Sequence, residues 1–408
     1  MSNFKPFLKR VLLKNYKSIA ACAVDLRALT LLVGPNGSGK SNFLDALRFV
    51  SESLRSSLDH ALRDRGGIND VRRRSSGHPT HFGMRLEFDL AEQWGHYAFR
   101  IGARPQGSYE VQTEECVIHG DQTARFLVKA GEVTSDWGGK RNGVVLPRAV
   151  KDRFYLVAAS GIPEFRPVYD ALSAMGFYSL NPDHIRDLQS PDSGDVLFRD
   201  GSNLTSALRN LAERDPSRKT RIEEYLARVV LGVSGVDVKA IGPKETLEFR
   251  QEVAGARDPW RFLAANMSDG TIRALGILVA LFQSQQSRTP EVPLVGIEEP
   301  EVALHPAAVG ALLDALREAS TLRQIVVTTH SPDLLDGADM DSELLLAVHL
   351  DKGATQIAPF DEASRLAVRK GLYTPGELLR IGQLQPDVHL FGEETKQFRL
   401  FEEERQGG

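Results

Sequence analysis

The sequence predicts an α/β fold built around a nucleotide-binding P-loop, and three stretches carry that prediction. Leu31-Leu32-Val33-Gly34-Pro35-Asn36-Gly37-Ser38-Gly39-Lys40-Ser41 is a complete P-loop. Residues 292–297 read as a buried strand that ends in Glu298-Glu299-Pro300-Glu301. Residues 324–329 read as another, ending in His330-Ser331-Pro332-Asp333. Apolar strands that end in polar motifs are the pattern of an open α/β sheet, where ligands bind at the carboxyl ends of the strands.

The chain opens with β patterns at 7–13 and 23–26, followed by the apolar run 28–33 that feeds the P-loop. Phe43, Leu44, Leu47 and Val50 then recur at helical spacing over 42–54. The glycines therefore fall in a strand-to-helix turn, where bare backbone N–H groups can close around phosphates and the helix N-terminus adds partial positive charge. The expected nucleotide-binding set is Gly34, Pro35, Asn36, Gly37, Ser38, Gly39, Lys40, Ser41 and Asn42, with Lys40 on the β- and γ-phosphates and Ser41 on Mg²⁺. The densest basic stretch follows, with Arg63, Arg65, Arg72, Arg73 and Arg74 within twelve residues. It reads as a solvated face or as a phosphate-contacting surface.

Residues 84–88, 97–101 and 109–118 alternate apolar with polar and predict an antiparallel meander beside the main sheet. Residues 144–146 and 154–157 are candidates to extend it. From 163 to 231 the pattern turns helical, with a helix expected over 204–211 after the start signal Asp200-Gly201-Ser202-Asn203. Short strands return over 237–251. Asn266-Met267-Ser268-Asp269-Gly270-Thr271 then precedes an apolar helix, for which Ser268 is a natural N-cap and whose N-terminus can bind an anion.

Two adjacent carboxylates at a strand end are costly unless a cation sits beside them. Glu298 is expected on the metal side, through water, and Glu299 is expected to orient and polarise an attacking water. His330 is expected to sense the γ-phosphate. Near the chain's end Thr374-Pro375-Gly376-Glu377 reads as a capping box. The expected organisation is an N-terminal lobe over 1–160, a mainly helical insertion over 161–255, a C-terminal lobe over 256–345 and a strand/helix extension over 346–408.

Bulk properties exclude few classes. The chain has 408 residues, 42% of them hydrophobic and 25% charged, and a net charge of −4. That balance argues against a protein coated in nucleic acid but leaves room for a local basic groove. No apolar run reaches the roughly 20 residues of a membrane span, and Met1-Ser2-Asn3-Phe4-Lys5 lacks the pattern of a signal peptide. Cys22 and Cys116 have no metal or redox spacing, as expected of a reducing cytoplasm. No internal repeat or sustained heptad pattern is present, so a long coiled-coil arm is not expected.

The order of P-loop, Ser-Asp-Gly-Thr helix, acidic strand end and strand-end His resembles the ABC-type ATPase head, within it the RecF/SMC branch and the OLD-family ATPases of bacteria. Glu298-Glu299-Pro300-Glu301-Val302-Ala303-Leu304-His305-Pro306 is similar to that branch, as are Leu13-Lys14-Asn15-Tyr16-Lys17-Ser18 and Thr329-His330-Ser331-Pro332. The likeness covers most of 1–60 and 256–345. It implies an ABC-type head with an antiparallel β-subdomain and a helical subdomain. It also implies a head-to-head homodimer, with ATP held between the P-loop of one subunit and Ser268, Asp269, Gly270 and Thr271 of the other. Lys40, Glu299 and His330 would be the catalytic residues, and Ser41 and Glu298 would hold Mg²⁺.

The sequence departs from the family in three ways. The signature is Ser-Asp-Gly-Thr rather than the Ser-Gly-Gly-Gln of transporters. Glu298 stands where many relatives have Asp. The glutamine loop has three candidates, Gln93, Gln106 and Gln112. His305 lies where the family has a subunit-crossing loop, although capping explains it equally well. The function expected is an ATP-driven switch acting on DNA or on a separately encoded effector or nuclease, in DNA repair or antiviral defence, with residues 346–408 too short for the nuclease domain of OLD proteins. The alternatives are the energising subunit of a membrane transporter and a RecF-type DNA clamp without an effector.

Overall fold

The computed structural model describes residues 5–75, 77, 79–90, 92–137, 146–283, 292–338, 344–396 and 399–402. At its centre lies a six-stranded sheet in the order Ala354–Pro359, Leu344–Asp351, Leu29–Val33, Gln324–Thr329, Leu294–Glu298, Gly176–Tyr178. All neighbours are parallel except the pair Ala354–Pro359 and Leu344–Asp351. Parallel strands are buried on both faces, and here alternate residues feed two separate cores. Leu31, Val33, Val295, Ile297, Ile325 and Val327 face one core. Leu32, Leu294, Val326, Leu346 and Val348 face the other.

The helices sort by face in the same way. The P-loop helix, Lys40–Arg55, buries Phe43, Leu47 and Val50 in the second core. The signature helix, Asp269–Phe282, buries Leu275, Leu278 and Leu281 in the first, together with Leu208 and Leu226 of the helices Leu204–Arg214 and Pro216–Val229. The two phosphate-binding helix starts read from the sequence are therefore held on opposite sides of one sheet. Strand register fixes the other partners: Glu298 pairs with Thr328, and Thr329 with Val33. The carboxyl ends of the P-loop strand, the acidic strand and the histidine strand come out level, as an open α/β sheet requires for a ligand site.

A seven-stranded antiparallel sheet covers the P-loop helix, in the order Ile19–Asp25, Leu8–Tyr16, His81–Leu90, Gln93–Ala103, Tyr109–His119, Ala124–Lys129, Glu132–Asp136. The expected meander is present, and the two opening strands belong to it rather than to the parallel sheet. A three-stranded sheet, Val233–Ile241, Lys244–Gln251 and Trp260–Leu263, lies beside the signature helix's core.

Several local expectations are corrected. Residues 154–157 are not a strand: Tyr155–Ala159 is a helix. The cause is Glu114, whose carboxylate accepts the N–H groups of Tyr155 at 2.5 Å and Leu156 at 2.8 Å and so satisfies the helix start. The pattern over 163–231 is not wholly helical, because Gly176–Tyr178 pairs with the acidic strand as the edge of the central sheet. Of the extension expected at 144–146, residues 144 and 145 lie outside the described residues, and Leu146 is in no strand. The boundary expected at 345/346 falls within Leu344–Asp351, which pairs with the P-loop strand. The one expected at 255/256 falls inside the three-stranded sheet. The capping box at Thr374 and Glu377 is formed.

Glu114 is fully enclosed, and burial pushes its carboxyl up to about 7 despite the N–H donors of Tyr155 and Leu156 and the Tyr97 hydroxyl. Its proton is therefore held more tightly in the folded chain than in the unfolded one, so this group's contribution to stability falls as pH rises from about 4.5 to 7. Glu114→Gln, an uncharged mimic of the protonated form, is expected to melt closer to the parent at pH 5 than at pH 8. At pH 8 it should gain relative to the parent. Thermal melts across that range check this, and an unchanged parent–variant difference would contradict it.

Candidate functional site

The P-loop leaves the strand Leu29–Val33 and turns directly into its helix. Gly39 has φ +102°, a conformation that L side chains rarely adopt, and a Cβ there would stand 2.1 Å from Thr355 Oγ1. At Gly34 a Cβ would stand 2.1 Å from the Val348 carbonyl oxygen. Both glycines are thus required by close approach of the neighbouring strands Leu344–Asp351 and Ala354–Pro359. The Thr355 hydroxyl donates to the Ser38 carbonyl at 2.9 Å and lies 2.7 Å from Ser18 Oγ, which in turn accepts from the Asn42 amide at 2.6 Å. The loop is therefore braced from outside. Asn42, expected on the nucleotide, is turned toward Ser18. Pro35, Asn36, Gly37 and Ser41 are exposed at the rim.

The three residues expected to be catalytic meet at the level strand ends. Lys40 is only 4% exposed; its ammonium donates to the carbonyls of Gly34 at 2.8 Å and Pro35 at 3.0 Å and lies 3.8 Å from Glu299. Burial lowers the Lys40 pKa, and the charges of Glu299 and Glu301 oppose that shift. His330 Nδ1 lies 3.1 Å from Glu299 Oε1. That is ion-pair distance, but the nitrogen is not aligned as a hydrogen bond. Glu299 has φ +44°, which is costly for a residue with a long side chain, by about 1–3 kcal/mol. Its N–H holds it there, donating to the Thr328 carbonyl at 2.9 Å. The strain aims the carboxylate at Lys40 and His330 instead of along the strand.

Three functional groups here were not singled out from the sequence. Glu301 is buried and accepts from the Thr329 hydroxyl at 2.6 Å and the His330 N–H at 3.3 Å, leaving Oε2 unpartnered. Arg199 reaches Glu298 at 4.0 Å. Arg186 donates to the Met267 carbonyl at 2.9 Å and pairs with Asp269, so it anchors the signature. Only Glu301 carried a sequence signal, as the third acid of its motif.

The signature helix begins as expected. The Ser268 hydroxyl accepts from the Thr271 N–H at 3.2 Å. A Cβ on Gly270 would stand 2.2 Å from the Ala303 carbonyl oxygen, so this helix start abuts the loop that follows Glu299. Ser268, Thr271, Leu304, His305 and Arg228 line a groove of about 370 Å³. His305 caps its own turn, its Nδ1 accepting from the Ala307 N–H at 3.2 Å. Gln93, Gln106 and Gln112 all lie on the antiparallel sheet or its turns, and none is on an element of the central sheet.

The arginine stretch is corrected in part. Arg65 is neither solvated nor available to a phosphate: its side chain is 2% exposed and binds Asp45 and Glu52. Arg72 donates to the Pro79 carbonyl, Arg73 to the carbonyls of Ser18 and Gly353, and Arg74 pairs with Asp70. Arg63 pairs with Asp59 at the surface. Asp45 is the hub of the cluster beneath the P-loop helix. Burial raises its pKa, but Arg65, Lys17 and Arg48 together hold it well below the usual carboxylate range.

The donor set fits a magnesium nucleotide. The Ser41 hydroxyl and Glu298 carboxylate are hard oxygen donors of the kind Mg²⁺ takes alongside substrate phosphates, and the exposed rim at Asn36 and Gly37, where a Cβ on Gly37 would meet nothing within 4 Å, leaves the loop open to a phosphate.

The family described as "AAA domain, putative AbiEii toxin, Type IV TA system" matches residues 140–336, and the AAA ATPase domain family matches residues 7–90. Two solved SMC head structures share the fold. An SMC head bound to the C-terminal winged-helix domain of ScpA superposes with a TM-score of 0.56 at 17% identity, over 88% of this chain and 99% of that one. A head with an extended coiled coil bound to the C-terminal domain of ScpA, derived from Pyrococcus furiosus, gives 0.56 at 14% identity, over 90% and 99%. The chain has the mixed α/β P-loop fold of these SMC heads. Among curated relatives, endonuclease GajA of Bacillus cereus is 20% identical over 361 residues, which is 83% of this chain and 57% of GajA. The Smc chromosome partition protein of Methanocaldococcus jannaschii is 50% identical over 44 residues, 10% of this chain and 4% of that protein. The chain spans about 57% of the length of the first of these relatives and a small fraction of the second.

The Asp45 hub yields a stability prediction. Asp45→Ala would leave Arg65 buried without its main counter-charge, and breaking a buried pair in this way costs about 3–5 kcal/mol. Urea denaturation should show a loss of that order, whereas a loss within about 0.5 kcal/mol would mean the cluster is solvated.

Proposed function

We propose that the chain is a Mg²⁺-dependent ATPase that works as a head-to-head dimer and uses ATP binding and hydrolysis as a switch. The observation that carries this reading is the placement of the two phosphate-binding helix starts on opposite faces of one sheet. The signature helix cannot fold back on the P-loop of its own chain without breaking the sheet. A second subunit, turned to face the first, can bring its Ser268 to the γ-phosphate.

Within one cleft the roles divide by chemistry. Lys40 exchanges the carbonyls of Gly34 and Pro35 for the β- and γ-phosphates, which gives a buried ammonium full negative charges in place of neutral dipoles, its nearest carboxylate, Glu299, being 3.8 Å away. Glu299 orients a water and draws on its proton as the water oxygen attacks the γ-phosphorus. The bond from that phosphorus to the β–γ bridging oxygen breaks, and ADP and inorganic phosphate leave. His330, beside Glu299, donates to the γ-phosphate. Ser41 and Glu298 would hold Mg²⁺, which supplies charge neutralisation on the phosphates.

The output of the cycle is proposed from the relatives. GajA is named an endonuclease and is longer than this chain, and the family matching residues 140–336 carries a toxin description. These support a switch that controls a nuclease or other effector in defence against foreign DNA. The SMC heads solved with ScpA domains support reading a partner-protein contact as part of the cycle.

Lys40→Ala should remove tight ATP binding in calorimetry, and unchanged affinity would sink the nucleotide assignment. Glu299→Gln should still bind ATP but turn it over about 10²–10⁴-fold more slowly, the range of a lost general base. His330→Ala should cost less, about 1–3 kcal/mol of transition-state binding. Normal turnover by Glu299→Gln would show that the two acids are assigned wrongly.

A further inference from the structure

A second cavity lies between the C-terminal half of the P-loop helix, the edge strand Gly176–Tyr178 and the segment 196–199. Arg48, Glu52 and Arg55 line it from the helix, and Phe198 and Arg199 face them across a space of about 290 Å³. Arg55 is fifteen residues along the helix from Lys40, or about 22 Å at 1.5 Å per residue, so this is not the P-loop cleft.

The charge in the cavity is unbalanced. Of its three arginines Arg48 is paired with Asp45 at 2.6 Å, and the one acid of the lining, Glu52, is bound to Arg65 at 2.7 Å, which leaves Arg55 and Arg199. Arg199 has a single ion-pair partner among the described residues, Glu298 at 4.0 Å, the outer limit of such a pair. Arg55 has none among them. Beside these guanidinium groups Phe198 is 53% exposed. A flat apolar ring left open next to the unpaired Arg55 and the loosely paired Arg199 matches the stacking platform and electrostatic funnel used for nucleotides. The volume is at the lower end of ligand pockets, which suits one nucleotide rather than two.

We propose that this cavity binds a nucleotide monophosphate unit, with its base stacked on Phe198 and its phosphate on Arg55 and Arg199. The unit is either a free mononucleotide or the terminal residue of a nucleic-acid strand. The site does not depend on the ATPase reading, because neither ring nor guanidinium groups belong to the P-loop. A ligand there draws Arg199 away from Glu298, so its occupancy is sensed at the strand end.

The test is fluorescence anisotropy of a labelled, 5′-phosphorylated oligothymidine of about ten nucleotides, measured on the full chain without ATP or Mg²⁺, with AMP as competitor. The parent and Lys40→Ala should bind equally well, since neither probe needs the P-loop lysine. Phe198→Ala and Arg55→Gln, both surface changes that leave the core intact, should each weaken binding about 5-fold or more, and Phe198→Tyr should restore it. Arg55→Gln should also lower the slope of log affinity against log salt by about one. Competition by AMP identifies a free-nucleotide site, and binding of the strand alone identifies a nucleic-acid site; either supports the proposal. Failure of both probes to bind the parent would overturn it, as would equal affinities for parent, Phe198→Ala and Arg55→Gln.

Discussion

The constraint on which the rest depends is that the central sheet is parallel and buried on both faces. Alternation of Leu31 and Val33 with Leu32, and of Ile325 and Val327 with Val326, commits each strand to two cores at once. A shift by one residue would exchange every side chain between the cores, so the register is firmly set. Register in turn brings Val33, Glu298 and Thr329 level. The same two-sided burial keeps the P-loop helix and the signature helix apart. On the proposed reading, each chain would then build half of a phosphate site that a second chain completes.

Electrostatics works at two depths around the P-loop helix. At its start, Lys40 sits among loop carbonyls with Glu299 and Glu301 near, an arrangement that tolerates exchange because carbonyls are weak partners for an ammonium. Underneath, Asp45 with Lys17, Arg48, Arg65 and the Tyr16 hydroxyl forms a closed set that exchanges with nothing. On the proposed function the first cluster would meet the nucleotide, while the second rigidifies the helix. Glu299 belongs with the first: its strained backbone is set by Thr328 of the neighbouring strand, so the aim of its carboxylate depends on the sheet rather than on a flexible loop.

What the sequence disclosed was whatever is local. The P-loop, the acidic strand end and the strand-end His are contiguous motifs on apolar strands, and Ser268 caps its helix through a residue three positions on. What it concealed depended on distant partners. Nothing in Gly176-Phe177-Tyr178 marks it as an edge strand until it lies beside Ile297. Arg65 looked like its neighbours in a basic run because its partners, Asp45 and Glu52, stand on another element. Tyr155 and Leu156 looked like strand residues because the carboxylate that starts their helix is some forty positions upstream. Arg186 and Arg199 bear on the site through contacts across 83 and 99 positions, which no periodicity reports.

The central claim is that a complete ATP site needs two chains, one giving Lys40 and the other Ser268. Multi-angle light scattering of Ser268→Arg with ATP and Mg²⁺ tests it most directly, because a bulky cation at the signature start spares the P-loop. The account predicts that the parent converts from monomer toward dimer on adding ATP, while Ser268→Arg binds ATP and remains monomeric. A Ser268→Arg protein that dimerises with ATP as the parent does would contradict the account.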